Sequence, residues 1–255
     1  MIDIHTHILP GVDDGAGNLD EALAMARLAV ADGVAQLVAT PHSAWGAATE
    51  ANVREGVRAL QAALDEAGIP LHLATGVEFW LTPEVVAQQQ AGRAFPINGG
   101  RYMLIELPPH QIPAYAEQSI FALQLAGVTP VLAHPERYSA LEGNLKPMYD
   151  LVSRGVLGQV TAGSLLGEFG PQAKQMAEIM LTHRLAHVIA SDAHSSRGRP
   201  PVLSAAAKRA AQLVGEEQGW AMVTTVPESI VAGRALEIPE PLPYRPKWHW
   251  LPWGG

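Results

Sequence analysis

The sequence predicts an α/β fold in which parallel strands, each followed by a helix, close into a TIM-like barrel within a single domain. Apolar segments of strand length alternate with amphipathic helical segments through seven units. The strand segments are almost continuously apolar, as expected for parallel strands that helices cover on both faces. At 255 residues and 48% hydrophobic content, the chain has the size of many one-domain barrels. An open doubly wound sheet is the second alternative, weakened because no glycine-rich phosphate loop follows any strand.

The composition excludes several classes of function. The chain has no cysteine, which excludes disulfides, thiolate metal sites and cysteine nucleophiles. Its 25 acidic residues outnumber the 17 basic ones, giving a formal net charge of -8, and no basic run indicates a nucleic-acid surface. No segment has the length of a membrane span or the pattern of a signal peptide. We therefore expect a soluble cytoplasmic protein that neither binds nucleic acid nor inserts into a membrane.

The first half of the chain contains four of the predicted strands. Apolar Ile2 and Ile4 alternate with polar residues in the first strand, until a proline interrupts the pattern. Asn18 and Glu21 form a predicted capping box for the first helix, which Gly33 ends. The segments that follow are a strand from Val34 to Thr40, a helix from Glu50 to Ala67, a strand from Leu71 to Val77, a short helix with Thr82 and Pro83 at its cap and first turn, and a strand from Tyr102 to Leu107.

The second half continues the alternation of strand and helix. Gly127 and Gly155 end two of its helices. The predicted segments are a helix from Ala114 to Leu125, a strand from Thr129 to Ala133, a helix from Leu145 to Ser153, a strand from Val156 to Thr161, a helix from Pro171 to His183, a strand from His187 to Ala190, and helices from Leu203 to Gly215 and from Pro227 to Gly233.

The C-terminal tail, residues 235–255, differs in composition from the rest. Its prolines favour extended structure, and Trp248, Trp250 and Trp253 are too apolar for an unpacked tail. We expect residues 1–234 to form the barrel domain and the tail to pack across its outside. The alternative is a contact with a partner or with a second copy, so a homo-oligomer is an open alternative.

Histidine and acidic residues follow the predicted strands at their C-terminal ends. His5 and His7 lie two residues apart, so on an extended backbone both imidazoles point the same way and could bind one cation. The C-terminal ends of barrel strands emerge on one face, where active sites of such barrels form. Six of the seven strands contribute to this set. The candidate metal ligands are His5, His7, Asp14, His42, Glu78, Glu106, His134, Asp192 and His194.

The ligand set is too large for one ion and suits about three divalent ions, with water completing each shell. Its four carboxylates would leave a surplus of about two positive charges on three such ions, which an anion such as phosphate would neutralise. Imidazole and carboxylate ligands suit manganese, iron or zinc, and exclude copper(I) and iron–sulfur clusters. The sequence therefore predicts a site for an anion.

Arginines accompany two of these ligands. Arg137 lies three residues after His134, and Arg197 and Arg199 follow His194 in a short loop. Guanidinium groups beside a metal site can hold phosphate oxygens in a bidentate fork. A structural ion pair, for instance between Arg137 and Glu136, is the alternative for each single arginine.

Taken together, the motifs resemble the polymerase and histidinol phosphatase (PHP) superfamily of metal-dependent phosphoesterases. Within it, the chain is most similar to the CpsB/CapC-type protein-tyrosine phosphatases of bacterial capsule and exopolysaccharide loci. Ser43 stands where many members carry a second histidine. The matching stretches are MIDIHTHILPGVDDG at 1–15, ATPH at 39–42, GVE at 76–78, IEL at 105–107, HPERY at 134–138 and SDAH at 191–194.

The resemblance implies a distorted (β/α)7 barrel, the PHP fold, with three divalent ions, for which manganese is our first expectation and iron or zinc the alternatives. Arg137 and one of Arg197 or Arg199 would contact the substrate phosphate. The first ion would be held by His5, His7, Glu78 and Asp192; the second by Glu78, Glu106 and His134; the third by Asp14, His42 and His194.

The chemistry expected of such a site is hydrolysis of a phosphate monoester. A hydroxide bridging two ions would attack phosphorus in line, while the third ion and the arginines neutralise charge on the phosphoryl oxygens. Tyrosine, with a pKa of about 10, leaves with less help from a general acid than an alkyl alcohol. We expect the substrate to be a phosphotyrosine protein, namely the tyrosine-rich tail of a bacterial kinase that controls capsule synthesis.

Three other functions are weighed against this one. The first is a small-metabolite phosphatase of the histidinol-phosphatase type. The second, from a different class, is a non-catalytic metal-binding regulatory module, which the completeness of the ligand set disfavours. The third is a hydrolase of the amidohydrolase type, which would more often place a lysine at a strand end, where this chain has none.

Overall fold

The computed structural model describes residues 1–244. The three tryptophans of the C-terminal tail, Trp248, Trp250 and Trp253, lie outside the described residues. Within residues 1–244, no helix combines the length and the apolar character that crossing a membrane requires.

The described part of the chain alternates strands with helices, as the sequence predicts. The strands are β1 (Ile2–Thr6), β2 (Gln36–Ala39), β3 (His72–Thr75), β4 (Phe79–Trp80), β5 (Tyr102–Glu106), β6 (Thr129–Ala133), β7 (Leu157–Thr161) and β8 (Val188–Ala190). The helices are α1 (Leu19–Ala31), α2 (Glu50–Glu66), α3 (Val85–Gln90), α4 (Ala116–Leu125), α5 (Lys146–Ser153), α6 (Ala162–Leu166), α7 (Gly170–Thr182), α8 (Ser204–Val214), α9 (Glu216–Ala221) and α10 (Thr225–Val231).

The strands form two parallel sheets, one of β1, β2 and β3 and one of β4 to β8, with neighbours paired in sequence order. The third predicted strand, from Leu71 to Val77, forms β3, which pairs with β2, whereas β4 begins four residues later, was not predicted, and pairs with β5. A bridge between His42 and Glu78 lies at this junction. On the other side, a bridge between Thr6 and Ala193 joins β1 to the segment after β8. Backbone hydrogen bonds therefore connect the segment after β2 to the residue before β4, and β1 to the segment after β8.

Two hydrophobic clusters hold this arrangement together. The larger lies between the strands and the surrounding helices. The smaller contains at least one buried apolar side chain from each predicted strand. These side chains include Ile4, Val38, Ala74, Leu104, Val131, Leu157 and Val188. Alternation of side chains along a strand explains both clusters, since successive residues face opposite sides.

The predicted N-cap of α1 is present, but the predicted N-cap of the short helix α3 is not. Asn18 accepts a hydrogen bond from the backbone N–H of Glu21 at 3.0 Å, as predicted for the start of α1. The Glu21 carboxylate does not return to Asn18; it accepts from the backbone N–H of Ser196 at 2.6 Å and so links α1 to the loop after β8. The prediction that Thr82 caps the next short helix was wrong, because α3 begins at Val85.

Two helices were not predicted. The α6 helix starts directly after β7, and α9 follows α8 after a single glycine, Gly215. Both are short, with five and six residues, and lack the repeated apolar spacing that identifies longer helices.

The described part of the tail packs on the fold. The backbone N–H of Leu242 donates to the carbonyl of His183 at 2.8 Å, and the Tyr244 ring lies edge-on to the His183 ring. Directly before the tail, the carbonyl of Arg234 accepts a hydrogen bond from the hydroxyl of Tyr102 at 2.8 Å. The domain boundary at residue 234 stays a prediction.

Candidate metal centre

The predicted ligands converge at the C-terminal ends of the strands. A cleft of about 300 Å³ opens there, and His5, His7 and Glu78 lie buried beneath it. The residues that line the cleft are Asp14, His42, Glu106, Pro109, His134, Arg137, Tyr138, Asp192, His194 and Arg199. The structure thus brings together all nine side chains that the sequence proposes as ligands, together with two of the three arginines.

The deepest group consists of His5, His7, Glu78 and Asp192. The Nε2 atoms of His5 and His7 lie 3.2 Å apart. Oε2 of Glu78 lies 3.3 Å from the first of these nitrogens and 3.5 Å from the second. Oδ1 of Asp192 lies 3.4 Å from both. Two imidazole nitrogens and two carboxylate oxygens therefore surround one small volume.

A second group shares Glu78. Nε2 of His134 lies 2.7 Å from Oε1 of Glu78 and 3.7 Å from Oε1 of Glu106. Glu106 reaches this position because it ends β5, paired with Trp80 two residues after Glu78. His42 adjoins the same carboxylates, with its Nδ1 atom 2.8 Å from Oε2 of Glu78.

The third group lies nearest to solvent. Oδ1 of Asp14 is 3.5 Å from Nε2 of His42 and 3.5 Å from Nε2 of His194. His7 also offers a nitrogen within reach of these three side chains. The exposed fraction of the Asp14 side chain is 47%, so this group is open to the cleft.

The donor set fits divalent ions better than it fits a hydrogen-bond network. Oε2 of Glu78 is fully buried and accepts no well-aligned hydrogen bond from any described residue. Nitrogens of three imidazoles nevertheless lie within 3.5 Å of it. Buried carboxylate oxygens are normally hydrogen-bonded, so lone pairs directed at one another are typical of ligands that share a cation.

Neighbouring positive groups keep the two deepest carboxylates, Glu78 and Asp192, in their ionised form. Burial would raise the pKa of Glu78, but the charge of His5 and hydrogen bonds from His134 hold that pKa well below its ordinary value. Burial likewise opposes ionisation of Asp192, but His5, His7 and Arg137 lower its pKa well below the usual range. Both carboxylates are therefore ionised at neutral pH, the form that binds a metal.

The pKa values of Glu106, His134 and His194 are shifted toward the neutral form of each side chain. Burial and the neighbouring Glu78 charge raise the pKa of Glu106 to about 7. Burial and the charge of Arg137 lower the pKa of His134 to about 4, and burial and His7 lower that of His194 to about 4. These two imidazoles are neutral at pH 7, which is the form that can coordinate a metal ion.

Backbone conformation marks two of the ligands. His134 and Asp192 adopt left-handed conformations, with φ of 36° and 53°. Side chains other than glycine rarely occupy this region, although Asp and His tolerate it better than most. His134 directly follows β6, and Asp192 lies two residues after the end of β8. The positive φ turns each of these side chains into the cleft. Strain of this kind concentrates at functional sites.

Sequence reasoning missed two residues that orient the imidazoles. Oε1 of Gln159, in the middle of β7, accepts from Nδ1 of His5 at 2.8 Å. Oδ2 of Asp13 lies 2.7 Å from Nδ1 of His7 and accepts the backbone N–H of His42 at 3.0 Å. The available signal for Gln159 is a polar residue inside an apolar strand, and for Asp13 it is the second acid beside Asp14.

Two of the three arginines line the cleft, and the third does not. Arg137 donates from Nη2 to Oδ2 of Asp192 at 2.6 Å, and Arg199 pairs with the same oxygen. Arg197 is exposed and does not line the cleft. The alternative partner Glu136 is occupied elsewhere, since it accepts from the backbone N–H of Thr161 and from a serine hydroxyl.

Parallel strands that deliver imidazoles and carboxylates to one cleft, beside two arginines, define an α/β protein with a candidate metal centre. The sequence model of the family described as "Capsular polysaccharide synthesis, CpsB/CapC" matches residues 1–232. The chain belongs to this CpsB/CapC family.

Named relatives agree with this assignment. The tyrosine-protein phosphatase YwqE of Bacillus subtilis is 42% identical over 201 residues, covering 78% of this chain and 79% of its own. The putative tyrosine-protein phosphatase CapC of Staphylococcus aureus is 38% identical over 205 residues, covering 80% of each chain. The similarity therefore extends over most of both proteins.

A solved structure matches the whole fold. It comes from a study of YwqE from Bacillus subtilis and CpsB from Streptococcus pneumoniae, described as unique metal-dependent tyrosine phosphatases. It superposes with a TM-score of 0.92 at 37% identity and covers 96% of this chain and 100% of its own. The family predicted from the sequence motifs is thus confirmed, as is a single α/β domain with parallel strands.

Proposed function

We propose that this protein is a metal-dependent protein-tyrosine phosphatase. One observation carries the proposal: the Asp192 carboxylate faces the imidazoles of His5 and His7 with one oxygen and the guanidiniums of Arg137 and Arg199 with the other. A cation cluster and a pair of phosphate-binding arginines therefore meet at one residue. The names of the relatives, tyrosine-protein phosphatases, support the same reaction.

We assign the three ligand groups to three divalent ions, with manganese expected first and iron or zinc as alternatives. When bound, such ions acidify water and neutralise charge on a phosphoryl group. The first ion is assigned to His5, His7, Glu78 and Asp192; the second to Glu78, Glu106 and His134; the third to Asp14, His42 and His194. The structure adds His7 as a further neighbour of the third group.

The protein's own residues supply binding and orientation. Gln159 and Asp13 fix the ring planes of His5 and His7 through their Nδ1 atoms, so that both Nε2 lone pairs face the common volume. The guanidinium groups of Arg137 and Arg199 can hold phosphoryl oxygens in a bidentate fork. Tyrosinate, with a pKa of about 10, needs little proton donation to leave.

We propose that the two sheets form one distorted seven-stranded barrel of the PHP type, supported by the bridges at both junctions and the smaller apolar cluster. We also propose a cytoplasmic location and a phosphotyrosine-bearing kinase tail as substrate, which rest on the family resemblance. The homo-oligomer stays a prediction.

A comparison of substrates tests the function. The protein with added Mn²⁺ is assayed on a phosphotyrosine peptide, on the same peptide with phosphoserine, and on histidinol phosphate. We expect kcat/KM to be highest for phosphotyrosine by about tenfold or more. A higher value for histidinol phosphate would favour the small-metabolite alternative, and no turnover of any substrate would favour the regulatory module.

A further inference from the structure

The Phe169 ring lies against both arginines of the cleft. The guanidinium carbon of Arg137 is 4.9 Å from the ring centroid, and that of Arg199 is 5.6 Å from it. Both distances are within the range of cation–π attraction. One aromatic side chain therefore touches two cations that come from different loops, one after β6 and one after β8.

The chain presents Phe169 in a defined way. The ring belongs to the short connection between α6 and α7, and Gly167 and Gly170 flank it with φ of 89° each. Such values favour glycine, so the connection is a tight turn at both sides of the phenylalanine. The α6 helix is anchored by the buried side chains of Ala162 and Leu165. Phe169 is half-buried and is held against the cleft by this anchored turn.

The two guanidiniums have few other contacts that could fix their planes. Both share a single oxygen of Asp192. The Nε atoms of Arg137 and Arg199 are buried and donate to no residue within the described range 1–244. A second carboxylate in place of Phe169 would orient the arginines but would compete with phosphate for their N–H groups. An aromatic face orients a guanidinium without occupying any donor.

We infer that Phe169 is a positioning residue for phosphoryl binding, which sets the orientation of Arg137 and Arg199 while leaving their donors free for the substrate. The inference rests on the proposed phosphatase function. It extends the site beyond the metal ligands to the α6–α7 turn, which the sequence motifs do not include.

The test compares Phe169→Leu, which keeps an apolar side chain but removes the aromatic face, with Phe169→Tyr, which keeps the face. KM for a phosphotyrosine peptide and the inhibition constant of inorganic phosphate are measured with Mn²⁺. We expect both to rise between about threefold and thirtyfold in the leucine variant. In the tyrosine variant we expect both to stay within about twofold of wild type.

Two controls separate positioning from general damage. Phe121→Leu changes an exposed phenylalanine on α4 that does not line the cleft, and it should leave both constants unchanged. The Mn²⁺ concentration for half-maximal activity should stay the same in every variant, because Phe169 touches the arginines rather than the ligand groups. If the leucine variant does not fold, Phe169→Met takes its place, since methionine adapts to irregular surroundings.

The possible results are distinct. Equal KM and phosphate inhibition in wild type and the leucine variant would overturn the role of Phe169 while leaving the phosphatase intact. A loss of affinity in both the leucine and tyrosine variants would also overturn it, since the aromatic face would then not matter. A wild-type protein that does not hydrolyse phosphotyrosine would overturn the proposed function and this inference together.

Discussion

Nδ1 of His5 lies 2.8 Å from Oε1 of Gln159, although 154 residues separate them in the sequence. Because an amide oxygen can only accept, Nδ1 of His5 carries a proton, and in the neutral form that binds a metal the lone pair is therefore on Nε2. That lone pair faces His7, Glu78 and Asp192. A fully buried amide on β7 thus determines which His5 nitrogen is available to a metal ion.

The first prediction concerns this contact. Gln159→Leu should preserve the fold, because leucine has a similar volume, but should raise the Mn²⁺ concentration for half-maximal activity by about tenfold to a hundredfold. The measurement is activity on a phosphotyrosine peptide across a Mn²⁺ titration. The matched control is Gln172→Leu, an exposed position on α7, where we expect no change. An unchanged titration curve for Gln159→Leu would show that the contact does not affect the metal.

The second prediction concerns Asp13, whose carboxylate orients His7 and also accepts the backbone N–H groups of His42 and Gly15. Asp13→Ala removes all three contacts, so we expect a weaker Mn²⁺ response by about a hundredfold, with Asp13→Asn less affected. Asp20→Ala, an exposed acid in the first turn of α1, is the control. If Asp13→Ala and Asp20→Ala gave the same Mn²⁺ titration curve of activity, Asp13 would have no orienting role.

The third prediction separates two arginines of one loop. Arg199 lines the cleft and pairs with Asp192, whereas Arg197 is exposed. Arg199→Ala should lower kcat/KM for a phosphotyrosine peptide by about a hundredfold or more, as expected for removal of a donor that stabilises transition-state charge. Arg197→Ala should change it by less than about twofold. The reverse order would assign phosphate binding to Arg197.

These residues show what the sequence could and could not predict. The metal ligands follow apolar strands, and a parallel fold gathers strand ends on one face, so their convergence was predictable from spacing alone. The role of Gln159 was not predictable, because it depends on the fold bringing β7 within hydrogen-bond distance of His5. The short strand β4 was also missed, since the apolar pattern around Glu78 does not show that the chain changes its pairing partner from β2 to β5.

The fourth prediction concerns stability and pH. His187 is buried, and burial lowers its pKa to about 4, while its Nδ1 accepts the backbone N–H of Gly158 at 3.0 Å. Between pH 6.5 and about 4 the unfolded chain takes up a proton at this residue and the folded protein does not. Stability therefore falls as pH decreases through that window, by up to about 3 kcal/mol from this group.

His187→Asn tests this effect, because the asparagine carbonyl can take the place of Nδ1 as acceptor. Urea unfolding of the chelated protein is measured at pH 7.5 and pH 5, so that metal binding does not contribute. We expect the loss of stability at pH 5 to be smaller in the variant than in wild type. Equal losses would mean that other groups dominate the acid sensitivity.

Metal content and turnover, measured together on one preparation, test the central claim that the strand-end side chains hold ions required for catalysis. The purified protein is assayed on a phosphotyrosine peptide before chelation, after exhaustive chelation, and after Mn²⁺ is restored, with bound metal quantified at each stage. We predict about three ions per chain in the active protein, a loss of activity of at least about a hundredfold without them, and recovery with Mn²⁺. Undiminished turnover in protein shown to be free of metal would contradict the account.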